Sequence, residues 1–203
     1  ISLQIAILAF FGGMFFGLFL ATIRTFGSKI SNNLVICYVT FFTNTPQLVQ
    51  IYFLFFALPE FGILLSPYIA VLLGMTLNAA AYLCEIQRAG FLSIRQNELD
   101  AAKTLNLTLL QQVKYVILPH IMKVLFPPLS NHYIIMTLGT SMAAIFGVEE
   151  LTGRAFNINS ETFRSVEIFS ITALIYIVIT FIATFLLAII GRYFFKAKIR
   201  IIQ

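Results

Sequence analysis

Residues 168–190 run for 23 positions without a single charged side chain, from Ile168 to Ile190. As a helix this run is about 34 Å long at about 1.5 Å per residue, enough to cross the roughly 30 Å hydrocarbon layer of a bilayer. Only helices and closed barrels satisfy their backbone in lipid. A barrel needs short alternating segments, whereas the apolar runs here are long and unbroken. The rest of the chain agrees, being 60% hydrophobic and 10% charged where a soluble domain carries about 25% charge. The sequence therefore reads as an all-α integral membrane protein, with residues 1–203 forming one transmembrane domain.

Five spans are expected. The first covers residues 1–23, the third runs from Pro67 to Leu83 or beyond, and the fifth is 168–190. The second is harder to place. Residues 46–59 alone reach only about 21 Å, so part of 34–42 must lie in or on the membrane. The fourth, 121–146, contains Pro127-Pro128 beside Asn131 and His132 and is expected to kink or break there. The opening at Ile1, within an apolar run, leads us to expect further residues before it. Residues 1–20 do not read as a signal peptide, lacking a basic start and a small-residue cleavage site.

Basic residues set the orientation. With the N-terminus outside, Arg24, Lys29, Arg88, Arg95, Lys103, Lys114, Lys123, Arg192, Lys196, Lys198 and Arg200 fall inside, and only Arg154 and Arg164 outside. Residues 96–118 then lie in the cytoplasm, and the C-terminus with them. This loop is unexpectedly long for so apolar a chain, and it carries Leu99, Leu105 and Leu107, which need a partner surface.

Within that loop Asp100-Ala101-Ala102, Asn106, Val116, Leu118 and Pro119 fall at the spacing E-A-A-x-x-x-G-x9-I-x-L-P. The pattern resembles the cytoplasmic coupling motif of ABC importer permeases. Residues 38–59, 80–95 and 140–167, the last containing Gly147-Val148-Glu149-Glu150-Leu151, resemble further stretches of the polar amino-acid uptake branch, as in histidine, glutamine and arginine permeases. The resemblance implies a permease subunit of a bacterial inner-membrane importer. Its implied partners are a dimer of ATP-binding subunits, a second identical or homologous permease subunit, an extracytoplasmic solute-binding protein and an amino-acid substrate. ATP and Mg would sit on the ATPase. This chain has no GxxxxGK[ST] phosphate loop and is expected to bind no cofactor, hold no metal and catalyse no reaction. Scattered basic residues give no reason to expect nucleic acid.

The coupling role falls on Asp100, Ala101, Ala102, Leu105, Asn106, Leu107 and Pro119. Two short helices joined by a tight turn should dock in a cleft of the ATPase, with Ala101 and Ala102 small enough to enter it. Asp100, at the start of the first helix, serves docking or the helix dipole. Asn106 replaces a turn glycine and is the commonest non-glycine residue at positive φ. Pro119 should end a helix before span four.

For the solute pathway the uncharged polar groups of the spans are candidates: Gln50, Asn78, Tyr82, Thr137, Thr140 and Ser141, with helix packing as the competing role. A break at Pro127-Pro128 would free backbone groups for a ligand. Glu85 and Arg88, three apart on one helical face, read as a structural ion pair. His132 reads as structural, and Cys37 and Cys84 as buried inert thiols. Leu138-Gly139 stands where relatives in this branch often carry a charged pair, which leaves the substrate open. Another small polar solute such as an opine is one alternative, and an autonomous channel or secondary carrier another.

Overall fold

The computed structural model describes residues 1–195, so Lys196, Lys198 and Arg200 lie outside the described residues. Helices α1 (Ser2–Phe26), α4 (Pro67–Leu92) and α9 (Ser165–Phe194) are long and apolar enough to cross a membrane. Two bent pairs bring the spans to five if each counts as one. The first joins α2 (Lys29–Thr43) to α3 (Gln47–Tyr52) and its continuation to Phe61, with a bend of 102°. The second joins the stretch Leu109–Phe146 to α8 (Leu151–Thr162), with a bend of 45°.

The core is the pairing of α1 with α4. Ala9, Gly13, Gly17 and Ala21 recur every four residues along one face of α1 and are all buried. A Cβ added at Gly13 would lie 2.6 Å from the Ala79 Cβ, and one at Gly17 2.9 Å from the Ala80 carbonyl. Small residues here let two helices approach backbone to backbone, the usual currency of helix association in lipid. The Gly13-x3-Gly17 spacing is a weak sign by itself, but here it marks the main contact. Gly12 meets Thr76, Gly13 meets Ala79 and Gly17 meets Cys84, so the two helices run in the same direction. At their shared end Arg24 joins Glu85, which also takes Arg88 at 3.0 Å. The expected pair is thus a triad that ties α1 to α4.

At the opposite end of α1, Glu150 is 2% exposed. Its carboxylate accepts hydrogen bonds from the Ser2 hydroxyl at 3.0 Å, the Tyr176 hydroxyl at 2.9 Å and the Gly153 N–H at 2.9 Å. One buried carboxyl group thereby caps α8 and holds α1 and α9 against it. Cys84 is buried, but Cys37 is exposed, because α2 turns that face away from α1 and α4.

The break in span four is not where the sequence suggests. Helix α7 (Leu118–Gly139) passes through Pro127 and Pro128 without interruption; helices in lipid carry proline where neighbours and small local adjustments make up the lost hydrogen bond. Nor does Pro119 end a helix. A π turn, Val113–Ile117, fuses α6 (Leu109–Gln112) to α7. A second π turn, Phe53–Ala57, precedes Pro59 at the same offset. In both, the carbonyl four residues before the proline, that of Phe55 or Tyr115, lies inside the wider turn, which relieves the clash with the ring.

Candidate functional site

Between α2 and α3 the chain leaves the helix at Asn44-Thr45-Pro46. A helix that stops within lipid leaves its last four carbonyls without partners, and each one needs a donor. All four have one. The Thr40 carbonyl keeps its intrahelical bond from the Asn44 backbone N–H at 3.2 Å and also takes the Asn44 side-chain amide at 2.8 Å, while that of Phe41 accepts from the Thr45 hydroxyl at 2.8 Å. The Phe42 carbonyl accepts from Gln50 at 3.0 Å and Asn78 at 3.2 Å, and that of Thr43 from the Tyr82 hydroxyl at 3.3 Å. Gln50 also donates to the Thr45 hydroxyl at 2.6 Å and accepts from Asn78 at 3.0 Å. Gln50, Asn78 and Tyr82 are therefore gathered at one place, where they clamp the break.

A cavity of about 580 Å³ opens against this break, level with the middle of α4. Residues 43–47 form one wall, Met75, Asn78, Ala79 and Tyr82 a second, and His132, Ile135 and Met136 of α7 a third. No Asp, Glu, Lys or Arg is among its lining residues. Gln50 stands behind the wall rather than in it. Thr137, Thr140 and Ser141 do not line the cavity: their hydroxyls donate back to the carbonyls of Tyr133, Thr137 and Leu138, within their own helical stretch. The sequence places the break at Pro127-Pro128 in span four; the structure keeps α7 continuous there, puts the sharper break, 102°, in span two and bends span four by 45° only before α8. Asn44-Thr45-Pro46 was the available signal, a polar pair before a proline inside an apolar stretch. His132, read as structural, lines the cavity with an Nε2 that has no hydrogen-bond partner among the described residues.

The segment 96–118 forms an elbow. Helix α5 (Gln96–Thr104) starts at Gln96, so Asp100 lies beyond its first turn and Glu98 occupies the dipole position. Asp100 accepts from Gln96 at 2.9 Å and approaches Lys103 at 3.6 Å. Asn106 adopts φ 52°, as expected of a residue standing in for glycine. Its N–H donates to Lys103 at 2.8 Å, and that of Leu107 to Ala102 at 3.1 Å, which closes a Schellman motif. Thr108 then caps α6 reciprocally with Gln111. The second short helix is not free-standing, because the π turn carries it into α7. His120, near the start of α7, meets Glu98 at 3.4 Å and pins α5 against it.

Ala102 is 2% exposed. It packs inside the elbow and is not available to a cleft, whereas Ala101 is exposed. Leu105, Leu109 and Leu110 are 74%, 80% and 77% exposed, while Leu99 and Leu107 are half-buried. Leu109 and Leu110 fall at unspecified positions of the coupling pattern, so their exposure leaves no trace in that motif.

A bundle of apolar spans, one of them broken around a polar cavity, and an elbow presenting bare leucines define a membrane transport subunit that works with a separate partner. The chain belongs to the family described as binding-protein-dependent transport system inner membrane component, which matches residues 13–196. It is 36% identical over 193 residues to the glutamine transport system permease protein GlnP of Escherichia coli (strain K12), covering 94% of this chain and 88% of that protein. It is 35% identical over 162 residues to the octopine transport system permease protein OccM of Rhizobium meliloti, covering 75% and 66%. A crystal structure of an amino acid ABC transporter with histidines superposes with a TM-score of 0.86 at 31% identity, over 94% of this chain and 89% of that one. The MetNI methionine ABC transporter in an inward-facing conformation shares the fold, at TM-score 0.72 and 18% identity over 94% and 91%.

Proposed function

We propose that this chain is the permease subunit of an ATP-driven amino-acid importer in a bacterial inner membrane, with residues 96–118 as its contact to a separate ATPase. The cavity of about 580 Å³ at the broken span carries the reading, and the glutamine permease relative supports the cargo class. Residues 1–203 act as one permease domain. The N-terminus faces outward and the C-terminus the cytoplasm, supported by the eleven basic residues assigned inside against two outside. Three of the eleven, Lys196, Lys198 and Arg200, lie outside the described residues.

Two such subunits, identical or homologous, form the pathway, and a solute-binding protein delivers cargo from outside. Two ATPase subunits hold ATP and Mg. Asp100, Ala101, Leu105, Asn106 and Leu107, with Leu109 and Leu110, meet the ATPase, while Ala102 and Pro119 shape the elbow from within. Closure of the ATPase dimer pulls the elbow. The pinned α5 then moves α7, whose other end walls the cavity, and access alternates between the two sides.

The test is reconstitution with the ATPase and the binding protein, measuring ATP hydrolysis and uptake across the amino acids. Stimulation by at least one amino acid is expected; stimulation by none ends the reading. Ser160→Cys should be labelled from outside and Lys103→Cys only after permeabilisation, and the reverse pattern would overturn the orientation. The octopine relative favours one second reading, an opine as cargo, which the same assay separates.

A further inference from the structure

Most polar groups around the cavity are already spent. Both amide hydrogens of Asn78 are used, on the Phe42 carbonyl and the Gln50 side chain. The Asn44 amide donates to the Thr40 carbonyl and the Thr43 hydroxyl. The Thr43, Thr45 and Tyr82 hydroxyls donate to the carbonyls of Val39, Phe41 and Thr43. His132 differs. Its Nε2 is enclosed without a partner among the described residues, and its ring lies 5.7 Å from that of Tyr82, inclined by 33°. A buried ring nitrogen left unpaired is costly and calls for an explanation. A half-turn about χ2 carries that nitrogen to the opposite edge of the ring, and this torsion is soft in histidine.

The surroundings narrow what it could meet. With no charged side chain in the lining, a charged solute side chain would enter a site with no counter-charge to replace its lost hydration. Met75, Ala79, Ile135 and Met136 supply apolar wall instead. A neutral side chain with a hydrogen-bonding tip fits both conditions. An amide fits best, because it offers a donor and an acceptor and so suits either imidazole tautomer.

We propose that His132 is a specificity-determining residue that reads the side chain of the transported amino acid, and that this side chain is uncharged and carries an amide or hydroxyl. The inference rests on the amino-acid reading given above and deepens it. His132 then contacts the solute, while Asn78, Gln50 and Tyr82 hold the wall it is read against.

The experiment uses the complete transporter, the permease with its ATPase, in nanodiscs. Equilibrium binding of radiolabelled L-glutamine, without the binding protein, is competed by L-asparagine, L-serine, L-arginine and L-glutamate. Neutral polar competitors should win. His132→Leu should weaken L-glutamine binding by about tenfold or more, the loss of one buried hydrogen bond to a neutral group, and His132→Gln should restore most of it. His132→Asp should move the preference towards L-arginine, a change that general loosening of the fold would not produce. Co-purification of the ATPase with each variant verifies assembly. If L-arginine or L-glutamate outcompetes the neutral amino acids in the wild type, or if His132→Leu keeps wild-type selectivity, the assignment is overturned while amino-acid import stands. If no amino acid stimulates ATP hydrolysis in the reconstituted transporter with its binding protein, the amino-acid reading falls and the assignment falls with it.

Discussion

The break in span two and the elbow at 96–118 are both places where a helix stops and the chain turns, yet they are finished in opposite ways. At the break the carbonyls of Phe41, Phe42 and Thr43 each meet a side-chain donor, drawn from as far away as Tyr82. In the elbow the backbone is also closed, by the Schellman turn at Asn106 and the Thr108 cap, but three leucines stand bare. Each reflects the surroundings that punish it most. In hydrocarbon an unpaired polar group is expensive; in water a patch of exposed leucine is, unless a partner covers it. The break gathers donors onto its carbonyls, and the elbow leaves its leucines to the partner proposed above.

The largest effect should come from the incomplete side. Leu109→Glu with Leu110→Glu removes two exposed leucines whose burial stabilises a contact by about 1.5–3 kcal/mol each. Co-purification of the ATPase should fall by about a hundredfold or more, with thermal unfolding of the permease alone unchanged. Equal destabilisation of the isolated subunit would mean the leucines already have their partner within it.

Ala101→Arg and Ala102→Arg sharpen the contrast within a single helix turn. The first should weaken ATPase binding and leave the elbow folded. The second forces a charge into a buried position and should open the elbow, seen as new cleavage there in limited proteolysis. Identical behaviour of the two would erase the distinction between the elbow's outer and inner faces.

Gln50→Leu attacks the finished side. It keeps the size and hydropathy of a span but leaves the Thr45 carbonyl without its donor, at about 1–3 kcal/mol, while the Phe42 carbonyl keeps Asn78. Thermal stability in detergent should drop, and transport with it, while ATPase binding holds. The smallest effect is expected at Asn106. Asn106→Gly should leave transport within about twofold, since glycine accepts positive φ freely. Asn106→Val should cost about 1–2 kcal/mol in thermal unfolding, because a branched side chain resists that conformation.

What the sequence made legible follows from the range of the physics involved. Span existence is a sum over twenty residues and was readable in the uncharged run 168–190. The turn at Asn106 and the Glu85–Arg88 pair are local and were readable too. The location of the break was not, since prolines punctuate spans two and four alike and only tertiary partners decide. Pro46 is accompanied by Gln50 and by Asn78, whose bond to Phe42 spans 36 residues. Pro127 and Pro128 sit in an unbroken helix. Which of two adjacent alanines faces inward depends on where α5 starts, and that start is Gln96 rather than Asp100. Arg24 completing the triad, and His132 opening onto the cavity, depend on contacts between elements with no local trace.

The π turn at Val113–Ile117 has a mechanical reading. Leu109 to Phe146 is one unbroken shaft, and the turn is its only wide-pitched joint among the described residues. From Tyr115 in that joint to His132 is a lever arm of about 26 Å at about 1.5 Å per residue. Each degree of tilt at the joint therefore sweeps the cavity wall sideways by about 0.45 Å on the same rise. An angular displacement of ten degrees at that joint moves His132 by more than the diameter of a water molecule.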